Sequence, residues 1–408
     1  MKRYDLLVVG GGIAGVAAAV SAARQGLTVL IVEKFGCLGG ALCNSLVYPF
    51  MQHRTLESGK LLSDGIFGEI KKRHADYGEA SWETFKFVFD DMVTEAGVDV
   101  LFHATVFQIH TDGRTLKAVS VATKSGIVEC EARYFLDASG DGELLMMAGC
   151  DYQLGRESDG FCQPMTTCFR MSGVDIERFK QEHEELIRLY NQQQQEGRIR
   201  NPRENILVFY GQGKDILHLN TTRVVKLNPV DAVEVSRAEM EARRQVWEMF
   251  TFLKTHAPSC KNAELITIAN HIGVRESRKL KGVYILTGDD LRQMVHFDDT
   301  IAVANYSIDI HNPTGTGTTM YKFEKDNYYY IPYRSLLPKE YDNMLVAGRC
   351  LSADHEAHSA ARVMPTCACM GEAAGTAFAV SNDTGATLHA VDVQEVRRRL
   401  TCAGAVVD

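Results

Sequence analysis

The stretch YDLLVVGGGIAGVAAAVSAARQGLTVLIVEK, residues 4–34, determines how the chain begins to fold. Asp5–Val9 is an apolar run that predicts a buried strand, and Thr28–Val32 predicts a second one. Between them, Ile13–Gln25 consists mostly of small apolar residues and predicts a helix that ends at Gly26. Strand, helix and strand in this order are typical of the start of a parallel α/β sheet.

Three glycines occupy the turn between the first strand and the helix in the spacing GxGxxG. Gly10 permits a tight turn, Gly12 lets a pyrophosphate approach the backbone, and Gly15 lets the helix pack closely on the strand. The free N–H groups at the helix N-terminus favour phosphate, and Glu33 ends the second strand where a carboxylate can bind ribose hydroxyls. This unit predicts a dinucleotide site formed by Gly10, Gly12, Ile13, Ala14, Gly15, Glu33 and Lys34.

The loop EKFGCLGGALCNS, residues 33–45, indicates which dinucleotide is bound. In a nicotinamide-binding domain, and hence in an NAD-dependent dehydrogenase, the chain would normally continue here into further strand–helix units. The glycine-rich loop instead suits a longer ligand that reaches past its phosphates, which favours FAD. It adds Gly39, Gly40 and Ala41 to the predicted cofactor contacts.

Two later segments end in similar turns of small residues. YFLDASGDG and NMLVAGRC each predict a short strand followed by such a turn, and a helix is predicted to start near Pro365. Both turns resemble FAD-contacting segments of the two-dinucleotide-fold flavoproteins. The resemblance implies that the helix N-terminus points at the flavin N1 and C2 oxygen. The helix residues Ala368, Gly371 and Gly375 allow close packing on the first strand and helix. With this resemblance, the predicted cofactor contacts also include Val106, Ala138, Ser139, Gly140, Asp141, Gly348, Arg349, Pro365 and Cys369.

The composition excludes several classes of partner. The net charge is −8 without a basic stripe, so we expect no nucleic-acid partner. The apolar run Leu6–Val20 is too short to cross a membrane and contains four glycines, so we expect no membrane span. Eleven cysteines without paired zinc or iron–sulfur spacing predict reduced thiols, no metal site and a cytoplasmic protein.

The middle of the chain has a different pattern. Residues 98–112 predict one strand and residues 116–132 a hairpin, whereas Val174–Gln195 and Asp231–His256 predict long helices among short strands such as ILVFYG and GVYILTG. Because the chain then returns to the first sheet, we expect an α/β fold with an inserted domain. The expected parts are a Rossmann-like FAD-binding domain of residues 1–150 plus 333–408, and an α+β substrate or capping domain of residues 151–332.

Several motifs together resemble one family. They resemble segments of bacterial FAD-dependent oxidoreductases distantly related to fumarate reductase and thiazole synthase. The motifs are GGGIAG, VEKFGCLGG, LDASGDG, LGRESDGFCQPMTTCFR, GVRESRKLKGVYILTGDDL, IDIHNPTG and VAGRCLSADHEAHSAARVMPTCACMGEAAG. The resemblance covers residue 4 to about residue 380, and its first and last motifs are the most specific. It implies a three-layer FAD-binding domain of the glutathione-reductase type. The fumarate reductase relatives carry a similar His-Pro-Thr-Gly element, but Asn312 interrupts it here.

The candidate catalytic residues are those that the chain would bring to the flavin. An arginine there can bind a carboxylate through two hydrogen bonds or stabilise anionic flavin, and a histidine can remove a proton while hydride leaves for the flavin N5. Each of these side chains could instead only anchor a loop or link the two domains by salt bridges. The candidates are His358, Arg362, His355, His311 and Arg275.

The expected function is hydride transfer between a small polar substrate and FAD. A carboxylate, a hydroxy acid or a sugar would each suit a pocket built from arginine and histidine, and the choice stays open. Because no second dinucleotide motif is visible, electrons are expected to pass through substrate, oxygen or a separate electron donor or acceptor. The alternative is a flavoprotein that acts in RNA modification or uses FAD in a partly structural role.

Overall fold

A computed structural model describes residues 3–78 and 81–408. The strands are β1 Tyr4–Val9, β2 Val29–Val32, β3 Asp99–Leu101, β4 Thr105–Asp112, β5 Thr115–Thr123, β6 Gly126–Asp137, β7 Tyr152–Leu154, β8 Phe169–Ser172, β9 Val208–Phe209, β10 Leu217–Leu219, β11 Glu264–Ile268, β12 Arg278–Leu280, β13 Thr300–Ala304, β14 Ile308–His311, β15 Thr318–Tyr321, β16 Tyr329–Pro332 and β17 Met344–Val346. The helices are α1 Ile13–Arg24, α2 Ala41–Asn44, α3 Ile66–Asp76, α4 Thr84–Glu95, α5 Glu143–Met147, α6 Ile176–Gln195, α7 Ala232–His256, α8 Gly288–Arg292, α9 His355–Ala361, α10 Met364–Thr384 and α11 Val393–Cys402.

A seven-stranded sheet organises the two ends of the chain. Its order is β3-β2-β1-β6-β5-β4, and β17 also pairs with the second half of β6. β1, β2, β3 and β17 run parallel to their partners, whereas the first half of β6 forms an antiparallel meander with β5 and β4. The predicted α/β fold with a Rossmann-like parallel sheet is confirmed.

The two faces of the parallel sheet are covered differently, because successive side chains along a strand point to opposite sides. Leu6 and Val8 of β1 lie in one apolar core with α1 and α10, whereas Leu7 and Val9 lie in a second core with β4 and β5. The result is three layers: helices, parallel sheet and antiparallel strands.

α1 and α10 pack so closely that their backbones nearly touch. A Cβ atom on Gly371 would lie 2.1 Å from the Ala14 carbonyl oxygen, and one on Gly375 would lie 2.3 Å from that of Ala18. The small residues of α10 therefore serve helix-to-helix packing against α1, which explains the helix's low content of large apolar side chains.

Two predicted strands were wrong. Residues 98–112 form β3 and β4 and not one strand, because His103 adopts a positive φ of 51° and the chain crosses there from the parallel strands to the antiparallel meander. GVYILTG forms no strand, since its backbone binds separate loops: Val283 N–H donates to the Leu337 carbonyl and Leu286 N–H to that of Ser352. The hairpin arm at 127–132 and the strand ending at Asp137 are one strand, β6.

The middle of the chain has a core of its own. The sheet β11-β8-β10-β9 packs with α6 and α7 around residues such as Phe169, Phe179 and Met249. β13 and β16, by contrast, contribute Ile301 and Ile331 to the core that contains α1 and α10. The limits of the two expected domains stay a prediction.

Within residues 3–78 and 81–408, no single helix is long and apolar enough to cross a membrane. α9 and α10 satisfy length and composition only as a pair, and they meet at an angle of 91°.

Candidate functional site

One cavity of about 580 Å³ extends from the carboxyl ends of the parallel strands into the middle part of the chain. Val9, Val32, Ala138 and Ala347 line it where β1, β2, β6 and β17 end. Ligands of open α/β sheets bind at this edge, so the position agrees with a nucleotide site.

We call one part of this cavity the dinucleotide end; it is lined by residues from 9–14, 32–41, 138–143 and 347–349. The structure brings most of the predicted cofactor residues together there or along the adjoining wall: Gly10, Gly12, Ile13, Ala14, Glu33, Lys34, Gly39, Gly40, Ala41, Val106, Ala138, Ser139, Gly140, Asp141, Gly348 and Arg349. Their contacts with a cofactor stay a prediction.

Three predicted cofactor residues do not line the cavity. Gly15 lies behind the turn, where a Cβ atom would stand 2.0 Å from the Gly10 carbonyl oxygen. Pro365 and Cys369 are buried on other faces of α10, and it is Met364 and Cys367 that border the cavity. The helical period separates these positions, and a contact of Pro365 or Cys369 with the cofactor stays a prediction.

The dinucleotide end has backbone surfaces that leave no room for side chains. A Cβ atom on Gly40 would lie 2.9 Å from the Gly12 Cα atom, and one on Gly10 would lie 2.6 Å from the Ala138 carbonyl oxygen. Gly12 itself faces the open cavity at the N-terminus of α1. These features fit the pyrophosphate of a dinucleotide.

Glu33 is held in place by the backbone. Its carboxylate accepts hydrogen bonds from Gly11 N–H at 2.6 Å and from Phe35 N–H at 2.8 Å. Burial raises the pKa of Glu33 above its ordinary value, although these two hydrogen bonds oppose the shift. The carboxylate therefore stays fixed at the end of β2, where a ribose would lie.

The other charges of the dinucleotide end pair with one another. Lys34 Nζ lies 2.8 Å from Glu143 Oε1, and Arg349 Nη2 lies 2.9 Å from Asp141 Oδ1. Burial alone would raise the pKa of Asp141, but the charges of Arg349 and Lys34 outweigh it and hold that pKa below its ordinary value. Glu143 was missed in the sequence because nothing in its spacing links it to Lys34.

We call the other part of the cavity the arginine end. It is lined by Arg203, Arg275, Arg362, Tyr306, Asp309 and His311. Three of the predicted catalytic residues are thus brought together, whereas Arg203, Tyr306 and Asp309 were missed. Asp309 could have been found from the sequence, because residues two apart on a strand share a face and His311 lies on the same strand.

A hydrogen-bonded chain connects three of these side chains. Tyr306 Oη donates to Asp309 Oδ2 at 2.9 Å, and His311 Nε2 lies 3.3 Å from the same oxygen. His311 Nδ1 lies 3.2 Å from Arg223 Nη2, which can only donate, so Nδ1 accepts and Nε2 carries the proton. Burial and the charge of Arg275 lower the pKa of His311 to about 3, so the ring is neutral near pH 7.

Arg275 and Arg362 lack a carboxylate partner among the described residues, and so does Arg203, which donates to Asn205. Arg275 Nη1 donates to the Pro164 carbonyl at 2.7 Å, and the Arg362 guanidinium forms no hydrogen bond within that part of the chain. Burial, followed by the charges of Arg203 and Arg362, lowers the pKa of Arg275 to about 9. The site therefore holds positive charge that the protein does not neutralise locally.

His355 and His358 do not line the cavity, and their expected place at the flavin stays a prediction. His355 Nδ1 lies 2.9 Å from Glu276 Oε1, in a buried cluster that includes Lys279. His358 is fully buried and its Nε2 donates to the Arg349 carbonyl at 2.9 Å. α9 turns both rings away from the cavity, so His355 binds Glu276 and only His358 supports the chain at residue 349.

Within residues 3–78 and 81–408, no group of three or more histidine, cysteine or carboxylate side chains could hold a metal ion. All eleven cysteines are free thiols.

One family model and several known proteins are similar to this chain. A family model described as FAD dependent oxidoreductase matches residues 5–400. Digeranylgeranylglycerophospholipid reductase 1 of Methanococcoides burtonii is 28% identical over 193 residues, which are 43% of this chain and 46% of that protein. Glutathione reductase of Debaryomyces hansenii is 36% identical over 92 residues, 21% of this chain and 18% of that protein. The chain thus spans at most about half the length of these curated relatives.

Among solved structures, a geranylgeranyl bacteriochlorophyll reductase-like protein of Thermoplasma acidophilum is 14% identical with a TM-score of 0.49, covering 98% of this chain and 83% of that one. The expected distant relation to fumarate reductase and thiazole synthase is not shown by these matches and stays a prediction. The match over residues 5–400 identifies the chain as a member of the FAD dependent oxidoreductase family and hence as an FAD-dependent enzyme.

Proposed function

We propose that this enzyme transfers a hydride between a small, carboxylate-bearing substrate and its flavin. The observation that carries the proposal is the pair of guanidinium groups, Arg275 and Arg362, that border the cavity without a carboxylate partner in the described chain. Arg362 directly precedes the N-terminal end of α10, so a substrate bound to it would lie beside that helix end.

The dinucleotide end would hold the cofactor. The turn at Gly10 and Gly12 suits the pyrophosphate, Glu33 suits the ribose, and the N-terminal end of α10 suits the flavin ring. When bound, FAD supplies a two-electron carrier that accepts or gives a hydride.

The arginine end would bind and orient the substrate. A guanidinium presents parallel N–H donors that match the two oxygens of a carboxylate. Such a clamp fixes the distance between the reacting carbon and the flavin, which is a major part of catalysis by positioning. Burial of these groups strengthens the interaction because water does not compete for it.

Tyr306 and Asp309 would move the proton that accompanies the hydride. Burial and the adjacent Asp309 charge raise the pKa of Tyr306, so the phenol is protonated. Burial would raise the pKa of Asp309, but the His311 hydrogen bond and the Arg362 charge lower it below its ordinary value, so it is ionised. In an oxidation, the substrate hydroxyl proton passes to the Tyr306 oxygen while the Tyr306 proton passes to Asp309.

The relatives' names raise a different candidate substrate, an isoprenoid lipid. Several charged groups at the arginine end make that candidate less favourable, since burying a hydrocarbon against unpaired guanidinium groups would remove their water without replacing it. A separate electron donor or acceptor remains part of the proposal.

An anaerobic substrate panel tests the proposal. The purified yellow enzyme is mixed with 2-hydroxy acids, their neutral amides, sugars and prenyl lipids, and bleaching of the flavin absorbance is recorded. We expect bleaching by a carboxylate-bearing compound and none by its amide at the same concentration. Bleaching by prenyl lipids or uncharged sugars alone, or by no compound, would contradict the proposal.

A further inference from the structure

The charge at the arginine end exceeds what one carboxylate would neutralise. The charged groups considered are those on the cavity wall and that of Arg223, which lies directly behind the wall. Together they are four guanidiniums and two carboxylates. The guanidiniums belong to Arg203, Arg223, Arg275 and Arg362, and the carboxylates to Glu204 and Asp309.

The histidines of this region do not add to the charge. His271 and His311 both line the cavity, and burial is the first cause that lowers the pKa of each below its ordinary value of 6.5. Both rings are therefore neutral near pH 7, and the balance of the site is two positive charges.

One of the four guanidiniums is already bound by other groups of the protein. Arg223 is 1% exposed and donates from Nη1 to the Gly315 and Gly317 carbonyls, both at 3.0 Å. Its Nη2 lies 3.3 Å from Glu204 Oε1. Arg223 thus holds the turn between β14 and β15 and pairs with one of the two carboxylates.

The other three guanidiniums have no ion pair in the described chain. Arg203 is 5% exposed and donates from Nε to Asn205 Oδ1 at 2.9 Å, while Asp309 is bound by Tyr306 and His311. Like charges that share a buried site repel one another and have lost water, so they are stable only when a counter-charge is supplied. The protein supplies one such charge, Asp309, for three guanidiniums.

We propose that the arginine end binds a small dianion, a dicarboxylate or a phosphate monoester, in preference to a substrate with one negative charge. The inference rests on the proposed function, because the dianion is the compound whose reacting carbon faces the flavin. Two negative charges would balance the site, whereas a single carboxylate would leave one guanidinium uncompensated.

Binding to the oxidised enzyme tests the inference without turnover. Malonate, succinate, glutarate and glycerol 3-phosphate are titrated against the FAD-loaded protein, with the monoamides of the three diacids as probes that carry one charge less. Calorimetry and the change in flavin absorbance both report binding. We expect at least one dianion to bind at least about tenfold more tightly than its singly charged counterpart.

Two substitutions that change the charge of the site in opposite directions distinguish an effect of charge from damage to the fold. Arg203→Gln removes a positive charge, so the preference for the dianion should fall below about threefold. Glu204→Gln removes a negative charge from a partly exposed side chain, so dianion binding should become about three to ten times tighter. Arg188→Gln, on the exposed face of α6, is the matched control and should change neither affinity.

The outcomes are distinct. Preference for the diacids identifies a dicarboxylate, and preference for glycerol 3-phosphate identifies a phosphate monoester; either supports the dianion site. Equal affinity for diacids and monoamides, no saturable binding of any probe, or weaker dianion binding in Glu204→Gln would overturn it. Tight dianion binding without flavin bleaching by any hydroxy acid would instead overturn the proposed hydride transfer alone.

Discussion

The two ends of the cavity are built in different ways. The dinucleotide end consists of turns and glycines whose backbone faces the ligand, and its charged side chains pair with one another, as Lys34 does with Glu143 and Arg349 with Asp141. The arginine end consists of long side chains from distant segments, and its positive charges are not matched locally. The first end suits an extended ligand that lies against the backbone, and the second end suits an anionic ligand that is bound by side chains.

The largest expected effect is a loss of FAD affinity that leaves the stability of the fold almost unchanged. In Gly12→Val the new side chain would enter the cavity, since the nearest atom to a Cβ there is Gly40 Cα at 3.9 Å and φ is −67°. We expect FAD affinity to fall at least about 100-fold, or about 2.7 kcal/mol, while the unfolding free energy of the apoprotein changes by about 1 kcal/mol or less. Flavin titration and thermal unfolding measure the two quantities.

Gly12→Ala is the graded control and should lose less FAD affinity. Full flavin occupancy in Gly12→Val would show that the dinucleotide end does not hold the pyrophosphate.

The next effect should appear only at the arginine end. In Arg362→Gln, kcat/KM for a carboxylate substrate should fall about 10- to 150-fold, which corresponds to about 1.5–3 kcal/mol for a hydrogen bond to a charged group. FAD content should match that of the wild type. Steady-state kinetics with the substrate and with its neutral amide check the charge dependence; an equal loss for both compounds would argue against a carboxylate clamp.

Tyr306→Phe should slow the chemistry without weakening binding. Removing the hydroxyl that donates to Asp309 breaks the proton path, so the rate of flavin reduction should fall about 100-fold. The dissociation constant of the substrate should change by less than about threefold. Stopped-flow reduction measures both, and a wild-type rate would exclude Tyr306 from proton transfer.

The smallest effect on activity is expected outside the cavity. His355→Gln removes a hydrogen bond to the buried Glu276 carboxylate, so the unfolding free energy should fall by about 1–3 kcal/mol. Because His355 does not line the cavity, kcat/KM should stay within about threefold of the wild type. Thermal unfolding and kinetics on the same preparation test this, and a large loss of kcat at unchanged stability would restore His355 as a catalytic residue.

The sequence predicted the dinucleotide end far better than the arginine end, for a physical reason. Gly10, Gly12 and Glu33 act through the backbone within one strand–helix–strand unit, so their spacing along the chain encodes their position in space. Arg203 and Tyr306 are 103 residues apart in the sequence and come together only in the folded chain, so their spacing does not predict that both line the cavity.

Some local features of the backbone and the orientation of two side chains could also not be predicted from the sequence. The positive φ of His103 splits the strand predicted at 98–112, because that residue lies where β3 ends and the chain crosses to the antiparallel meander. His355 and His358 were expected at the flavin from their place before α10, but α9 turns their rings into the protein.

A crystal structure of the FAD-loaded enzyme tests the central claim most directly. We expect the pyrophosphate against Gly10 and Gly12, the ribose within hydrogen-bonding distance of Glu33, and the isoalloxazine ring between the N-terminal end of α10 and the guanidinium of Arg362. A flavin ring located away from the arginine end, or a pyrophosphate bound outside the first turn, would contradict the account.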